Sequence, residues 1–336
     1  MTIKDLAAKT GYAVGTVSRA LNDHPNVSDK ARKAILQAAK EYGFQLNVNA
    51  KQLKQSTSNN ILVIVKGTGN ELFSEMVEYI QSLIAKTHYQ LVVDYNDEDD
   101  NEVIRAVQLC REKKPRGLLF LGGNSGNFAR DFDKIDIPAV LVTNDASALH
   151  FDNLSSVCTD DAAAAQRAVE VLIGLGHRKI AVIGGDREVS DTSRLRYEGC
   201  RRAFQKYGIS FDPERDYQGV RYSYQDGYNA IHALLEAGSE FTAVFACADV
   251  MAIGAIRALG EAGKRVPEDV SVMGVDGLPL CSFLTPQLSG IRQSVKAMAL
   301  RGVEILLSAM EDGVSARHET VPFEVLRRES ICAVPK

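Results

Sequence analysis

T-I-K-D-L-A-A-K-T-G-Y-A-V-G-T-V-S-R-A-L-N (2–22) sets the fold of the N-terminal end. Thr2 followed by Asp5 is a helix N-cap with an acid in the first turn. Ile3, Leu6, Ala7 and Thr10 recur on one helical face, and Gly11 stops the helix. After a turn of about four residues, a second helix over Val14–Asn22 points Val17, Ala20 and Leu21 inward. Ser28 caps a third helix, whose apolar face is Ala31, Ala34, Ile35, Ala38, Ala39 and Tyr42, and Gly43 ends it. Short helices with small inward residues pack closely. Two of them joined by a tight turn give helix-turn-helix geometry over residues 1–45.

Charge separates this head from the rest of the chain. The 336 residues carry a formal charge of −4. Residues 1–58 hold nine Lys/Arg against four acids, a surplus of +5, so residues 59–336 carry −9. A basic head on an acidic body points to a polyanion partner for the head alone. The six cysteines show no C-x-x-C spacing and read as reduced thiols. No signal sequence and no run of 18 apolar residues is present, so the expected location is the cytoplasm, with no membrane partner.

From residue 59 apolar strand-length runs alternate with helical stretches. The runs are Ile61–Val65, Leu91–Tyr95, Gly117–Leu121, Ala139–Val142, Ile180–Ile183, Ala243–Ala246 and Val270–Val275. Helices are expected over Leu72–Lys86, Glu102–Glu112, Ala162–Leu175 and Arg194–Tyr207. Near-continuous apolar strands between amphipathic helices mean parallel sheets covered on both faces. The length favours two doubly wound subdomains over one large sheet. Residues 46–58 form a polar linker, in which 47–54 become helical only if something docks against Ala50 and Leu53.

The chain resembles the lactose/galactose-repressor family over essentially its whole length. The resemblance rests on the head (2–22), the hinge N-V-N-A-K-Q-L (47–53), and the body stretches L-G-H-R-K-I-A-V-I-G-G (175–185), A-D-V-M-A-I-G-A-I-R-A-L (248–259) and V-S-V-M-G-V-D-G (270–277). It departs from the family at Ala13, Leu46 and Ala248, where Ser, Pro and Asn are common. The resemblance implies a multidomain protein: an all-α head, a hinge, and an α/β body like a periplasmic binding protein. The body would divide into one subdomain of about 59–156 and 289–318 and another of about 157–288 and 319–336. It further implies a homodimer that binds palindromic double-stranded operator DNA and represses transcription under the control of a small, sugar-like effector bound between the subdomains.

Base reading falls to the start of the second helix. Val14 suits a thymine methyl, Gly15 permits close approach, Thr16 follows, and Arg19 suits a guanine edge or a phosphate. Asn26 is either a phosphate contact or a turn residue. The resemblance adds the hinge residues Asn47, Ala50, Leu53 and Lys54, with Leu53 as a minor-groove wedge and Ala50 keeping paired hinges close.

Ligands of open parallel sheets bind beyond the carboxyl ends of the strands. The resemblance points to Arg196 and Asp276 as clamping groups, Tyr222 as a stacking aromatic, and Phe73, Thr143 and Thr192 as walls. Arg194 competes with Arg196, and Tyr224 with Tyr222. Asp276 is alternatively a turn or cap carboxylate. Asp160 and Asp249 read as N-caps, and His177 as structural.

Enzyme chemistry finds no footing. Gly67 and Gly69 follow a strand, but the dinucleotide fingerprint then needs Gly where Leu72 stands. No phosphate-loop, zincin or nucleophile-elbow pattern is present, so neither cofactor, metal nor catalytic residue is expected. Two alternatives stay open. One is the same DNA function under a protein corepressor, and the other is a free sugar-binding protein.

Overall fold

The computed structural model describes residues 2–21, 26–44, 58–67 and 69–334. The chain divides into two compact units, 1–58 and 59–336.

In the head, α1 (Ile3–Thr10) starts with a complete capping box, in which the Thr2 side chain accepts from Asp5 N and the Asp5 carboxylate accepts from Thr2 N at 2.8 Å. It stops at Gly11, whose left-handed φ of 71° favours glycine. Helix α2 spans Val14–Leu21 and α3 spans Asp29–Glu41, capped by Ser28. Leu6, Ala7, Val17, Ala20, Ala31, Ile35 and Ala39 form the buried core. Two of the residues expected on the inner face of α3 lie outside that core. Ala34 is exposed, and so is Tyr42, whose ring instead carries Lys9 Nζ at 4.3 Å from its centroid.

The body holds two six-stranded sheets. The first comprises β1 (Asn60–Lys66), β2 (Gln90–Asn96), β3 (Gly117–Leu121), β4 (Ala139–Val142), β5 (Leu154–Thr159) and β11 (His318–Val321), in the order β11-β5-β4-β3-β1-β2, all parallel. Its covering helices are α4 (Glu71–Ile84), α5 (Glu102–Lys113), α6 (Ser125–Asp131) and α11 (Val295–Asp312). Strand alternation sorts the two faces. Ile61, Val63 and Val65 pack with α4 and α11, whereas Leu62 and Ile64 pack with α5 and α6 around Phe120, Phe128 and Phe132. Burying each of those rings contributes about 2–3 kcal/mol.

The second sheet comprises β6 (Ile180–Gly184), β7 (Tyr217–Gly219), β8 (Ala243–Ala246), β9 (Ser271–Asp276), β10 (Ser289–Arg292) and β12 (Glu324–Leu326), in the order β12-β10-β9-β8-β6-β7. Only β12 is antiparallel, at the edge. The helices α7 (Asp161–Gly174), α8 (Asp191–Lys206), α9 (Tyr224–Glu236) and α10 (Asp249–Glu261) cover it.

The chain crosses between these lobes a few residues later than the sequence suggested. Strand β5 runs on to Thr159 in the first sheet, Ser289–Arg292 belongs to the second sheet, and Glu319–Val321 returns to the first. The hydroxyls explain why β5 was not legible. Leu154–Thr159 is fully buried, but Ser155 and Ser156 break its apolar run, and their oxygens are bonded to Arg317 N (3.0 Å), Ala146 N (3.0 Å) and His318 Nδ1 (2.9 Å).

Candidate nucleic-acid interface and effector site

The head presents the start of α2 to solvent. Val14 is 42% exposed and Gly15 is open, while Val17 and Ala20 of the same helix are buried. An apolar residue left outside a core of seven buried side chains is available to a base edge. Ala13 supplies no side-chain cap. Its carbonyl instead accepts from Thr16 N at 2.8 Å and Val17 N at 3.0 Å, which starts the helix. Thr16 is half-buried. Arg19 is exposed on the face of Gly15, whose carbonyl it holds with Nε at 3.1 Å, so the guanidinium lies along the surface of the turn. Asn26 is exposed in the stretch before α3. Asn47, Ala50, Leu53 and Lys54 lie outside the described residues.

In the body, the candidate effector residues collect at the carboxyl ends of the strands. Arg196 on α8 is 5% exposed. Its Nε donates to Asp161 Oδ1 at 2.7 Å, its Nη1 donates to the Cys247 carbonyl, and its Nη2 lies 4.0 Å from Asp276 Oδ1. Arg194, the competing arginine, is exposed and pairs with Asp191 at 3.1 Å. Asp276 closes β9 with φ at 122°, a conformation that costs a non-glycine residue free energy. Gln293 holds it at both ends, since its backbone N–H donates to the Asp276 carbonyl (3.0 Å) and its side-chain amide donates to Oδ1 (2.8 Å).

Asp249 is not the cap its position suggested. Ala248 occupies the N-cap of α10 with no side-chain bond, and Asp249 is the first helical residue, 1% exposed. Its carboxylate accepts from Leu278 N at 2.8 Å and from Cys281 Sγ at 3.3 Å. Asp160, by contrast, caps α7 by accepting from Ala163 N at 2.9 Å. Burial pushes the carboxyls of Asp161, Asp249 and Asp276 up, and the proximity of Asp249 and Asp276 adds to the rise at Asp249. One guanidinium thus stands against two buried acids, Asp161 and Asp276, with Asp249 beside Asp276, and the pair Asp249–Asp276 keeps a proton where an isolated carboxyl has lost it.

Tyr222 is held beside this cluster, its hydroxyl 2.8 Å from Ser193 Oγ on α8. Gly185 makes the approach possible, because a Cβ there would lie 2.6 Å from the Tyr222 ring. Tyr224, the alternative, is 38% exposed and turns its hydroxyl to Glu71 on the other lobe.

The first lobe contributes neutral groups. Phe73 is buried on α4 against Gly122, whose φ is 75° and whose added Cβ would meet the ring at 3.0 Å. Thr143, with φ at 84°, donates to Asn144 Oδ1 at 3.1 Å, and the Asn144 amide reaches Thr192 Oγ1 on the second lobe at 3.3 Å. More bonds cross the cleft. Ser125 N donates to Asp191 Oδ2 at 2.8 Å, the Asn124 amide donates to the Val189 carbonyl, and Arg221 pairs with Asp97 (3.2 Å), Asp99 (2.9 Å) and Glu98. The lobes are closed on each other.

Asp161, Asn144, Gln293 and Asp249 were not among the sequence candidates. T-D-D (159–161) held a usable signal, because one carboxylate suffices to cap a helix and the second must turn elsewhere. Gln293 follows a strand whose short, polar sequence hid it. His177 is structural: it is buried between Thr242 Oγ1 (2.9 Å), Ser271 Oγ (3.1 Å) and the Cys332 carbonyl (3.1 Å), and burial lowers its pKa. Among the described residues no group of His, Cys, Asp or Glu is placed to hold a metal. No helix among them is long and apolar enough to cross a membrane.

Comparison with known proteins agrees with both parts of this geometry. Residues 2–47 match "Bacterial regulatory proteins, lacI family" and residues 169–331 match "Periplasmic binding protein-like domain". The HTH-type transcriptional regulator MalR of Clostridium butyricum is 34% identical over 335 residues, which is 98% of this chain and 99% of that protein. A lac repressor dimer bound to operator and the anti-inducer ONPF is 25% identical, with a TM-score of 0.80 and 99% of each chain covered. A complex of the transcriptional regulator CelR with cellobiose is also 25% identical, with a TM-score of 0.73 over 98% of this chain and 99% of that one. The fold and the exposed second helix define a DNA-binding transcription regulator with a ligand-binding body. This chain belongs to the lacI family of bacterial regulatory proteins.

Proposed function

We propose that this chain is a dimeric repressor whose operator affinity is set by a neutral, sugar-like effector held between the two lobes of its body. One observation supports the effector reading above all. Arg196, Asp276, Asp161 and Gln293 form a buried polar cluster at the strand ends of one lobe, facing Thr143 and Asn144 of the other. Such a cluster offers fixed donors and acceptors to hydroxyls, and Tyr222 offers a ring to the C–H side of a sugar. CelR, a relative of similar structure, holds cellobiose.

In the head, Val14, Gly15, Thr16 and Arg19 read the major groove, with Asn26 at the backbone. Two heads on a dimer read a palindrome. Residues 46–58 join head and body in sequence, so coupling passes along Asn47, Ala50, Leu53 and Lys54. The protein acts in the cytoplasm and catalyses no reaction. Effector and operator influence each other by the same factor, as linkage requires.

The test is a fluorescence-anisotropy titration on a palindromic site recovered by in vitro selection, with a panel of mono- and disaccharides. One sugar should shift operator affinity by about tenfold, the usual scale of such coupling. The shift should disappear in Asp276→Asn. Operator affinity unmoved by every sugar at saturation would overturn the reading.

A further inference from the structure

A cavity of about 480 Å³ opens at the seam of the two lobes, away from the cluster just described. Asn124 and Ser125 line it from the first lobe, and Arg187, Glu188, Arg194 and Tyr197 line it from the second. Helical spacing separates it from the effector cluster. Arg194, Tyr197 and Glu198 share one face of α8, and Ser193, Arg196 and Cys200 are buried on another. The volume falls within the range of small-molecule sites, about 300–1,000 Å³.

We propose that this cavity is a second ligand site, for a neutral polyhydroxylated molecule. Two charged groups of the lining are uncommitted. The Arg187 guanidinium lies over the rings of Tyr197 (4.5 Å) and Tyr217 (5.1 Å), which fix its plane. Among the described residues it makes no hydrogen bond and no ion pair. The carboxylate of the next residue, the exposed Glu188, accepts no bond among them either. The other charges of the lining are satisfied. Asp191 takes Ser125 N and Arg194, and Glu198 takes Arg201 at 2.8 Å. What remains is one donor fork and one acceptor carboxylate, on consecutive residues of the lining. An anion meets Glu188 and a cation meets Arg187, whereas hydroxyl groups donate to one and accept from the other.

The cavity also has a conformational consequence. The lobes touch at its edge, through Asn124 to Val189 and Ser125 to Asp191. A ligand bound to both walls favours the closed arrangement, so the second site reinforces whatever closure does to DNA affinity. The inference rests on reading the body as a small-molecule sensor.

The experiment counts binding sites on the full chain by isothermal titration with cellobiose, maltose and, as the anionic probe, inorganic phosphate. Arg187→Ala, Glu188→Gln and Arg196→Ala are compared with the wild type. One of the sugars should fill two sites per chain. Arg187→Ala should weaken one of them about tenfold and leave the other unmoved, and phosphate should give no heat. Arg196→Ala, where it folds, should retain the Arg187-dependent site. If that variant does not fold, the stoichiometry of wild type and Arg187→Ala still decides. A single site indifferent to Arg187→Ala overturns this inference and leaves the cleft reading intact. Only Arg187-dependent binding, unaffected by Arg196→Ala, overturns the cleft reading instead. Phosphate binding strengthened by Glu188→Gln overturns the ligand class, and no sugar heat at millimolar concentration overturns both.

Discussion

The two lobes of the body share a fold and differ in what they bring to the cleft. The first offers Phe73, Thr143 and Asn144, all uncharged. The second offers a buried guanidinium between two carboxylates, Asp161 and Asp276, with Gln293 and Tyr222 nearby. Charge buried in one lobe is costly and must be built in during folding. Neutral groups in the other only close the remaining hydrogen bonds. The contrast teaches a division of labour, in which the second lobe binds and the first covers.

That division is broken most directly at Arg196. Arg196→Ala leaves Asp161 and Asp276 buried with no cation, and should destabilise the body by about 3–5 kcal/mol. Urea unfolding measures it, and a loss of less than about 1 kcal/mol would show that the carboxyls tolerate each other without the guanidinium. Gln293→Leu should cost less. It keeps the main-chain bond to the Asp276 carbonyl and leaves the carboxylate without its amide donor, so effector affinity should fall at least tenfold with about 1–3 kcal/mol of stability. Equal affinity in calorimetry would remove Gln293 from the site.

The mirror test on the first lobe is Asn144→Ala. It removes the bond to Thr192 and should weaken effector binding by only about fivefold, at about 1 kcal/mol. A loss as large as that of Gln293→Leu would erase the distinction between binding and covering lobes.

Acidity separates the lobes as well. The carboxyls of Asp249 and Asp276 are raised in the fold, so the native state binds more protons than the unfolded chain. Their contribution is fully present below the ordinary carboxyl range and is lost as pH rises through the raised values. Asp249→Asn should flatten that decline in melting temperature between mildly acidic and neutral pH, whereas Asn144→Ala should not change its slope. The smallest effect belongs to the Arg221 contacts with Asp97, Glu98 and Asp99. These side chains are largely exposed, so Arg221→Ala and added salt should each move effector affinity by about twofold or less.

The fold was legible wherever burial demanded one kind of pattern. Near-continuous runs such as Ile61–Val65 and Gly117–Leu121 were plain, because both sheet faces are covered. Leu154–Thr159 was not, since its buried serines satisfy their hydroxyls through partners distant in sequence. The head was readable from caps and spacing, and those are local. The site was readable only in part for the same reason. Arg196 and Asp276 stand in recognisable stretches, but choosing Arg196 over Arg194 required knowing which face of α8 is buried. Asp249 resembled a cap because its partners, Leu278 and Cys281, come from the turn after β9.

The central claim is that a small neutral effector sits on the second lobe and is covered by the first. A crystal structure of the full chain with the sugar that shifts operator affinity tests it most directly. The account predicts hydroxyl contacts to Arg196 and Asp276, a sugar face against Tyr222, and only Phe73, Thr143 or Asn144 from the other lobe. A ligand held chiefly by first-lobe side chains, with the Arg196 cluster untouched, would contradict it.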